Sequence, residues 1–373
     1  MFQDGHYMSR PLEASTIMAL KLRPGFSVTV PGVRIIDVSK PEWLEYIQKT
    51  NFDNYQKGPV VRSLMGDLFG KGILVSDGAL WKRSRMVISR AFHPSTFKTI
   101  IEPGVDQSLH GLFKVLKGAS DESRDLDFCN LFSRYILDTF VKMTMKRSCG
   151  TIHDYAYALI DERLSKISSD DDFTNCETFQ EDFLGIMMAV HRKQESQLNR
   201  EELRDAALSF LLAGRLHPAV PKNLKFAKAD DIIPGGPTIE AGDCVTWCDW
   251  QMARDPEVWG ADCGQFQPNR WIDEAEKIKN FGNYKFHSFN GGLRHCVGMN
   301  LAIFINIKTI VEILQNFDLE FSEGWLKNVP KSGELDGIKT DYPTPQYQAS
   351  LSLPMKNPMM ISVKPRLTQD SGL

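Results

Sequence analysis

A chain of 373 residues that is 42% hydrophobic and 24% charged is long enough to bury a large core and has the balance of a folded globular protein. A net charge of −3 and a pI near 6.3 argue against a nucleic-acid binder. No apolar run reaches the ~18 residues of a membrane span, and the polar opening from Met1 is not a signal peptide, so a soluble chain is expected.

Residues 26–37 read as two short strands around the Pro31-Gly32 turn. A helix is expected from about Pro41, since proline suits a first turn and Trp43 and Ile47 share a face. Asp67 to Val75 reads as a glycine-punctuated loop, and Ser76 or Asp77 as the cap of a helix reaching about Phe92. On that helix Trp81 and Arg85 stand four residues apart on one face, with Lys82, Arg83 and Arg90 adding positive charge. On their own these residues suit a core tryptophan beside a solvated basic face better than a donor pair for an acidic cofactor group.

Ser108 to Met145 has a helical pattern, with Leu131, Tyr135, Ile136, Phe140 and Val141 on one face. Further helices are expected over 151–167 and 179–190, and over 199–214, where Asn199 and Glu202 make a capping box. Residues 219–250 turn strand-like, with Pro234-Gly-Gly-Pro237 as a hairpin turn and Asp243 to Trp250 as the returning strand. Ala253 to Gly260 reads as a short helix and loop, 266–271 as a tight loop, and Phe317 to Phe321 and Ser350 to Val363 as strands.

Seven irregularly spaced cysteines, with no C-x-x-C pair, favour free thiols in a reducing compartment. Cys244, Cys248 and Cys263 are poorly spaced for zinc and have no well-placed histidine as a fourth ligand. Cys296 differs from them. It stands between glycines, two residues after Arg294 and at the start of an expected helix, a setting that favours a thiolate. A nucleophile would need a base, and the adjacent His295 points elsewhere, so a metal ligand is preferred. If the sulfur holds a haem iron, Gly292 and Gly298 permit close approach of a flat macrocycle, Arg294 pairs with a carboxylate on its rim, and Phe289 shields the sulfur. The following helix is apolar almost all round, through Leu301, Phe304, Ile305, Ile307, Ile310, Val311 and Leu314, so it is expected to be buried.

Phe289, Gly292, Arg294, Cys296 and Gly298 fill the pattern F-x-x-G-x-R-x-C-x-G, which resembles that of the cytochrome P450 family of haem-thiolate monooxygenases. Phe266-x-Pro-Asn-Arg-Trp271, Arg254-Asp-Pro256 with Trp259, and Trp81-x-x-x-Arg85 resemble further stretches of that family, the last being its propionate-binding helix. The N-terminal strands and Asn51-Phe-Asp-Asn-Tyr55 are most similar to fungal members that hydroxylate fatty acids or alkanes. The resemblance implies a mainly α fold with small β-sheets (α+β) in a single domain over 1–373. It also implies haem b with its iron on Cys296, and electrons from NADPH passed through an NADPH-cytochrome reductase that docks on the basic face beside Trp81. A small apolar substrate and an endoplasmic reticulum location are implied as well, although the family's membrane anchor has no counterpart here.

The chain departs from the family in two internal places, near 145–150 and at 214–216. Ala213 and Gly214 resemble the end of the oxygen-binding helix, but the acid-alcohol pair expected next is replaced by Arg215-Leu-His-Pro. The residue three before Arg215 is Leu212, not the glutamate of the E-x-x-R motif, so Arg270 lacks its expected partner. A buried arginine without one costs on the order of 3–5 kcal/mol. An active monooxygenase and a catalytically impaired haem-binding remnant are therefore both carried forward.

Overall fold

In the computed structural model the described residues are 11–92, 100–145, 220–264, 274, 281–331, 338, 346–348 and 354–366. The expected helices over 151–167, 179–190 and 199–214, the loop over 266–271 and the strand residues 350–353 lie outside them. Helix α1 (Pro11–Lys21) leads into strands β1 (Gly25–Val30) and β2 (Val33–Val38), and α2 (Pro41–Glu45) runs on as a wide π turn over Tyr46–Thr50. Then come β3 (Tyr55–Gln56), α3 (Gly58–Phe69), α4 (Gly78–Ala91), α5 (Glu102–Asp121), β4 (Leu126–Asp127) and α6 (Phe128–Met145). Strands β5 (Lys222–Ala227), β6 (Asp231–Ile232), β7 (Thr238–Ile239) and β8 (Cys244–Cys248) precede short helices α7 (Asp249–Met252) and α8 (Pro256–Trp259). The chain closes with α9 (Met299–Asn316), β9 (Phe317–Phe321), α10 (Trp325–Asn328) and β10 (Met360–Pro365). The fold class is mainly α with small β-sheets, as expected.

Two compact units emerge: Met1–Gly58 with Pro218–Cys296 and Val329–Asn357, and Pro59–His217 with Val297–Asn328 and Pro358–Leu373. In the first, a five-stranded sheet has the order β1-β2-β8-β5-β3, in which β2 and β8 run parallel. Strands β1 and β2 pair from Val30↔Val33 outward, so Pro31 and Gly32 alone make the turn. Gly32 has φ +87°, the left-handed position that a proline-glycine turn of type II requires. Buried Ile36, Val38, Trp43, Leu44, Ile47, Tyr55, Val245 and Trp247 form this unit's core. The hairpin of β6 and β7 turns through Pro234–Pro237. Gly236 lies so close to Trp43 that a side chain there would meet the indole at 2.8 Å.

In the second unit, β4, β10 and β9 make a small antiparallel sheet in the order β4-β10-β9. Val105, Leu109, Leu112, Leu116 and Ala119 fall on one stripe of α5 and pack with Tyr135, Ile136 and Phe140 of α6. The side chain of Val141 lies outside the described residues. The stretch expected as one helical run over 108–145 is two helices. Ser123 takes φ +50°, with Arg124 N donating to Ala119 O at 2.8 Å and Ser123 N to Ser120 O at 3.1 Å. This is a Schellman ending with serine where glycine is usual, so no glycine or proline announces it.

The helix after Cys296 also differs from expectation. Leu301, Ile305, Thr309 and Ile313 are its buried stripe, whereas Ile307, Ile310, Val311 and Leu314 are exposed. A four-residue spacing puts one face on the core, and the apolar residues between those positions necessarily point away from it. Among the described residues no helix is long and apolar enough to cross a membrane.

Candidate functional site

The loop before α9 is shaped by its backbone. Phe289 O accepts the amide of Cys296 at 2.8 Å, and Asn290 N donates to His287 O at 2.8 Å. Asn290 takes φ +61°, and a 3-10 turn over Gly292–Arg294 closes with His295 N on Gly292 O at 3.1 Å. The Asn290 side chain reaches back to Arg294 O at 3.3 Å. Cys296 is thereby held at the end of a closed loop, its thiol half-buried and outside any disulfide. Gly298, two residues on, is the N-cap of α9, and its carbonyl accepts Ala302 N at 2.9 Å.

Gly292 has φ +57°, and a Cβ there would lie 2.1 Å from the backbone oxygen of Gln48. A Cβ on Gly291 would lie 2.7 Å from the Gln48 side-chain oxygen. The close approach that these glycines permit is therefore to the π turn after α2. Arg294, half-buried, lies with its guanidinium 5.9 Å from the ring of Phe52. That ring orients the guanidinium by a weak cation-π contact.

Beneath the loop are three polar residues that the motif does not contain. His287 is 3% exposed, its Nδ1 2.6 Å from Asp249 Oδ1 and its Nε2 3.0 Å from Gln48 Oε1. Burial raises the Asp249 carboxyl above its ordinary value, and the His287 contact opposes that rise. Trp247 meets the imidazole edge-on, ring centroids 6.1 Å apart. Gln48 and Asp249 were not legible as site residues because each is a lone polar residue in an apolar neighbourhood. His287, two residues before the motif begins, carried only the signal of proximity.

The stretch Asn51–Tyr55 has a structural role. Asp231 accepts hydrogen bonds from Tyr55 Oη at 2.6 Å, Tyr46 Oη at 2.9 Å and Asn51 Nδ2 at 2.9 Å. Burial alone would raise its carboxyl, but these donors together hold it below the ordinary carboxylate range. Arg254, of the Arg254-Asp-Pro256 stretch, stacks on Trp250 at 3.7 Å and donates to Trp250 O at 3.0 Å. Asp255 caps α8 by accepting Glu257 N and takes an ion pair from Arg23 at 2.9 Å. Cys244 and Cys248 lie within β8, where burial pushes each thiol up to about 11. Cys263 Sγ donates to Arg254 O at 3.3 Å.

Trp81 and Arg85 are on α4 in the second unit. Trp81 is buried, and the Arg85 guanidinium lies 5.9 Å from its ring, so the expected sharing of a face holds. Asp77, one of the two expected caps, is ion-paired with Arg62 at 3.0 Å. Ala213, Gly214 and Arg270 lie outside the described residues. The structure thus brings Phe289, Gly292, Arg294 and Cys296 together on one loop, with Gly298 opening the next helix.

The donor chemistry fits a haem iron. A soft sulfur on a backbone-fixed loop, a neighbouring guanidinium for an acidic rim, and glycines that keep the loop thin are what a thiolate-ligated macrocycle needs. Comparison with known proteins agrees. The cytochrome P450 family model matches residues 10–152 and 215–343. Cytochrome P450 monooxygenase cyp1 of Mycosarcoma maydis is 26% identical, covering 96% of this chain and 73% of that protein. In Arabidopsis thaliana, cytochrome P450 94B1 is 24% identical over 80% of each chain, and alkane hydroxylase MAH1 is 22% identical over 79% of this chain and 80% of its own length. With the cysteine loop formed and most of its length matched, the chain belongs to the cytochrome P450 family of haem-iron monooxygenases, which draw electrons from a reductase.

Proposed function

We propose that Cys296 is the iron ligand of a haem b, and that the chain is built to hydroxylate a fatty-acid or alkane-like substrate. The observation that carries this reading is the Cys296 amide bonded to the Phe289 carbonyl within the filled F-x-x-G-x-R-x-C-x-G loop. When bound, a thiolate-ligated haem iron supplies insertion of one oxygen atom from O2 into a C–H bond. The chain's own residues hold and orient. Arg294 would take one haem carboxylate, with Trp81 and Arg85 of α4 as donors for the acidic rim. Phe289 fixes the approach of the cysteine backbone, and Gly298 starts α9 without a side chain beside the sulfur. The name of one relative from Arabidopsis, an alkane hydroxylase, supports the substrate class, and the Mycosarcoma relative together with the Asn51–Tyr55 stretch supports the fungal affinity. The basic residues Lys82, Arg83 and Arg90 support docking of an NADPH-cytochrome reductase, with the endoplasmic reticulum as the place of work.

A second reading is favoured by the middle of the chain, where the family match breaks between residues 152 and 215. The alignment to the Mycosarcoma relative spans 476 positions, more than the 373 residues of this chain, so that relative carries internal residues opposite gaps. This supports a single family domain with internal deletions, near 145–150 and 214–216. A chain without the acid-alcohol pair after Gly214 retains the means to hold haem but not to deliver protons to oxygen. On this reading it is an impaired haem-binding remnant.

A carbon-monoxide spectrum of the reduced, haem-loaded protein tests the ligand: a red-shifted thiolate Soret band is expected, and Cys296→Ser should abolish it. Persistence of the band in that variant would remove Cys296 from the iron. Turnover of a fatty acid with a reductase and NADPH, measured by product formation, separates the active enzyme from the remnant.

A further inference from the structure

We propose that Gln48, His287 and Asp249 act as a positioning relay that fixes the direction in which the loop presents Cys296. The proposal rests on Cys296 as the iron ligand, but its first test does not.

His287 is bonded at both ring nitrogens, to Asp249 at 2.6 Å and to Gln48 at 3.0 Å, and is packed edge-on against Trp247. A ring held at both ends and along an edge cannot rotate. The two anchors come from separate parts of the chain: Gln48 from the π turn, and Asp249 from the first residue of α7, directly after β8. The relay therefore ties the loop to the sheet on one side and to α2 on the other.

Gln48 is the unusual member. It is 1% exposed, and its Nε2 is buried with no hydrogen-bond partner among the described residues. Leaving a buried amide unsatisfied is costly, so its place must be fixed by other contacts. Those contacts are to the loop: its side-chain oxygen faces His287 and Gly291, and its backbone oxygen faces Gly292. From His287 the constraint passes along the backbone. His287 O holds Asn290 N in the left-handed turn, and Phe289 O, between them, holds the Cys296 amide. None of the three relay residues is itself a member of the pattern that names the family, and none is a ligand.

The test compares the full chain with His287→Leu, Gln48→Leu and Asp249→Asn by residue-resolved amide exchange, without haem. The amides of Cys296 and Asn290 are expected to exchange about tenfold faster in the two leucine variants, while those of Cys244–Cys248 keep their rates. Asp249→Asn retains the oxygen facing Nδ1 and should keep slow exchange. Where His287→Leu does not fold, Asp249→Ala removes one anchor and leaves the ring. Unchanged exchange at Cys296 and Asn290, or equal acceleration throughout β8, would overturn the proposal. With haem added, the leucine variants should bind as much of it as the parent but show a smaller share as the red-shifted band. If the parent shows no such band, the iron-ligand reading fails while the exchange result still decides the relay.

Discussion

Tyr135 Oη and Thr309 Oγ1 lie 2.8 Å apart in the core of the second unit, both buried, joining α6 to the helix that follows the cysteine loop. A hydroxyl pair of this kind stabilises only if both partners stay. Thr309→Val or Tyr135→Phe alone should cost about 1–3 kcal/mol, because each leaves a buried hydroxyl unsatisfied. The double variant should cost less than the sum of the singles. Urea unfolding of the four chains gives the coupling directly.

Asp231 makes a pH-dependent contribution of known sign. Its folded carboxyl sits below the ordinary range, so its stabilisation is present above about pH 4 and is lost as pH falls through the folded value. Asp231→Asn should destabilise the chain by about 1–3 kcal/mol at neutral pH. The gap between variant and parent should close in acid. Melting temperatures measured from pH 7 down to about pH 3 would trace this.

Gly292 and Gly32 both have positive φ, but only one is crowded. With nothing within 4 Å of where its Cβ would stand, Gly32→Ala should cost about 1 kcal/mol from backbone strain alone. Gly292→Ala adds a clash with the Gln48 carbonyl and should cost more than about 3 kcal/mol or displace the loop. Calorimetric unfolding of the two variants side by side checks the difference.

Cys244 and Cys248, pushed up to about 11 by burial, should resist alkylation. At pH 8 only about a thousandth of each is thiolate, against roughly a quarter of an ordinary thiol. Brief iodoacetamide treatment followed by mass mapping should find both unmodified in the native chain and both labelled in denaturant.

Ser123→Gly should stabilise the protein by about 0.5–1 kcal/mol, since the left-handed residue that ends α5 would lose its Cβ penalty. A rise in the thermal midpoint with unchanged helix content is the expected result.

Much of the architecture was legible in short signals. Pro31-Gly32 fixed the first hairpin, Pro41 the start of α2, and Pro234–Pro237 the second hairpin, because each has few backbone options. The cysteine loop was legible because its chemistry demands particular residues at fixed spacing. Helices α1 and α3 were missed, and the end of α3 was read as loop because Asp67 and Gly70 look like punctuation. The burial of α9 was misjudged because hydropathy records how apolar a helix is, not which of its faces meets the core. Gln48, His287 and Asp249 converge only in three dimensions, from positions 48, 249 and 287, and no linear spacing announces that.

The π turn over Tyr46–Thr50 closes with Asn51 N on Tyr46 O at 2.8 Å, one residue wider than an α turn. Such a turn amounts to a single inserted residue. Deleting one residue within it would restore α geometry and rotate the positions beyond it by about 100° about the axis. The seat on which Gly291 and Gly292 rest would swing away with no change to the family motif itself. A length difference of one residue, about 250 positions upstream of Cys296, is thus a place where the geometry of the cysteine loop is open to inheritance and loss.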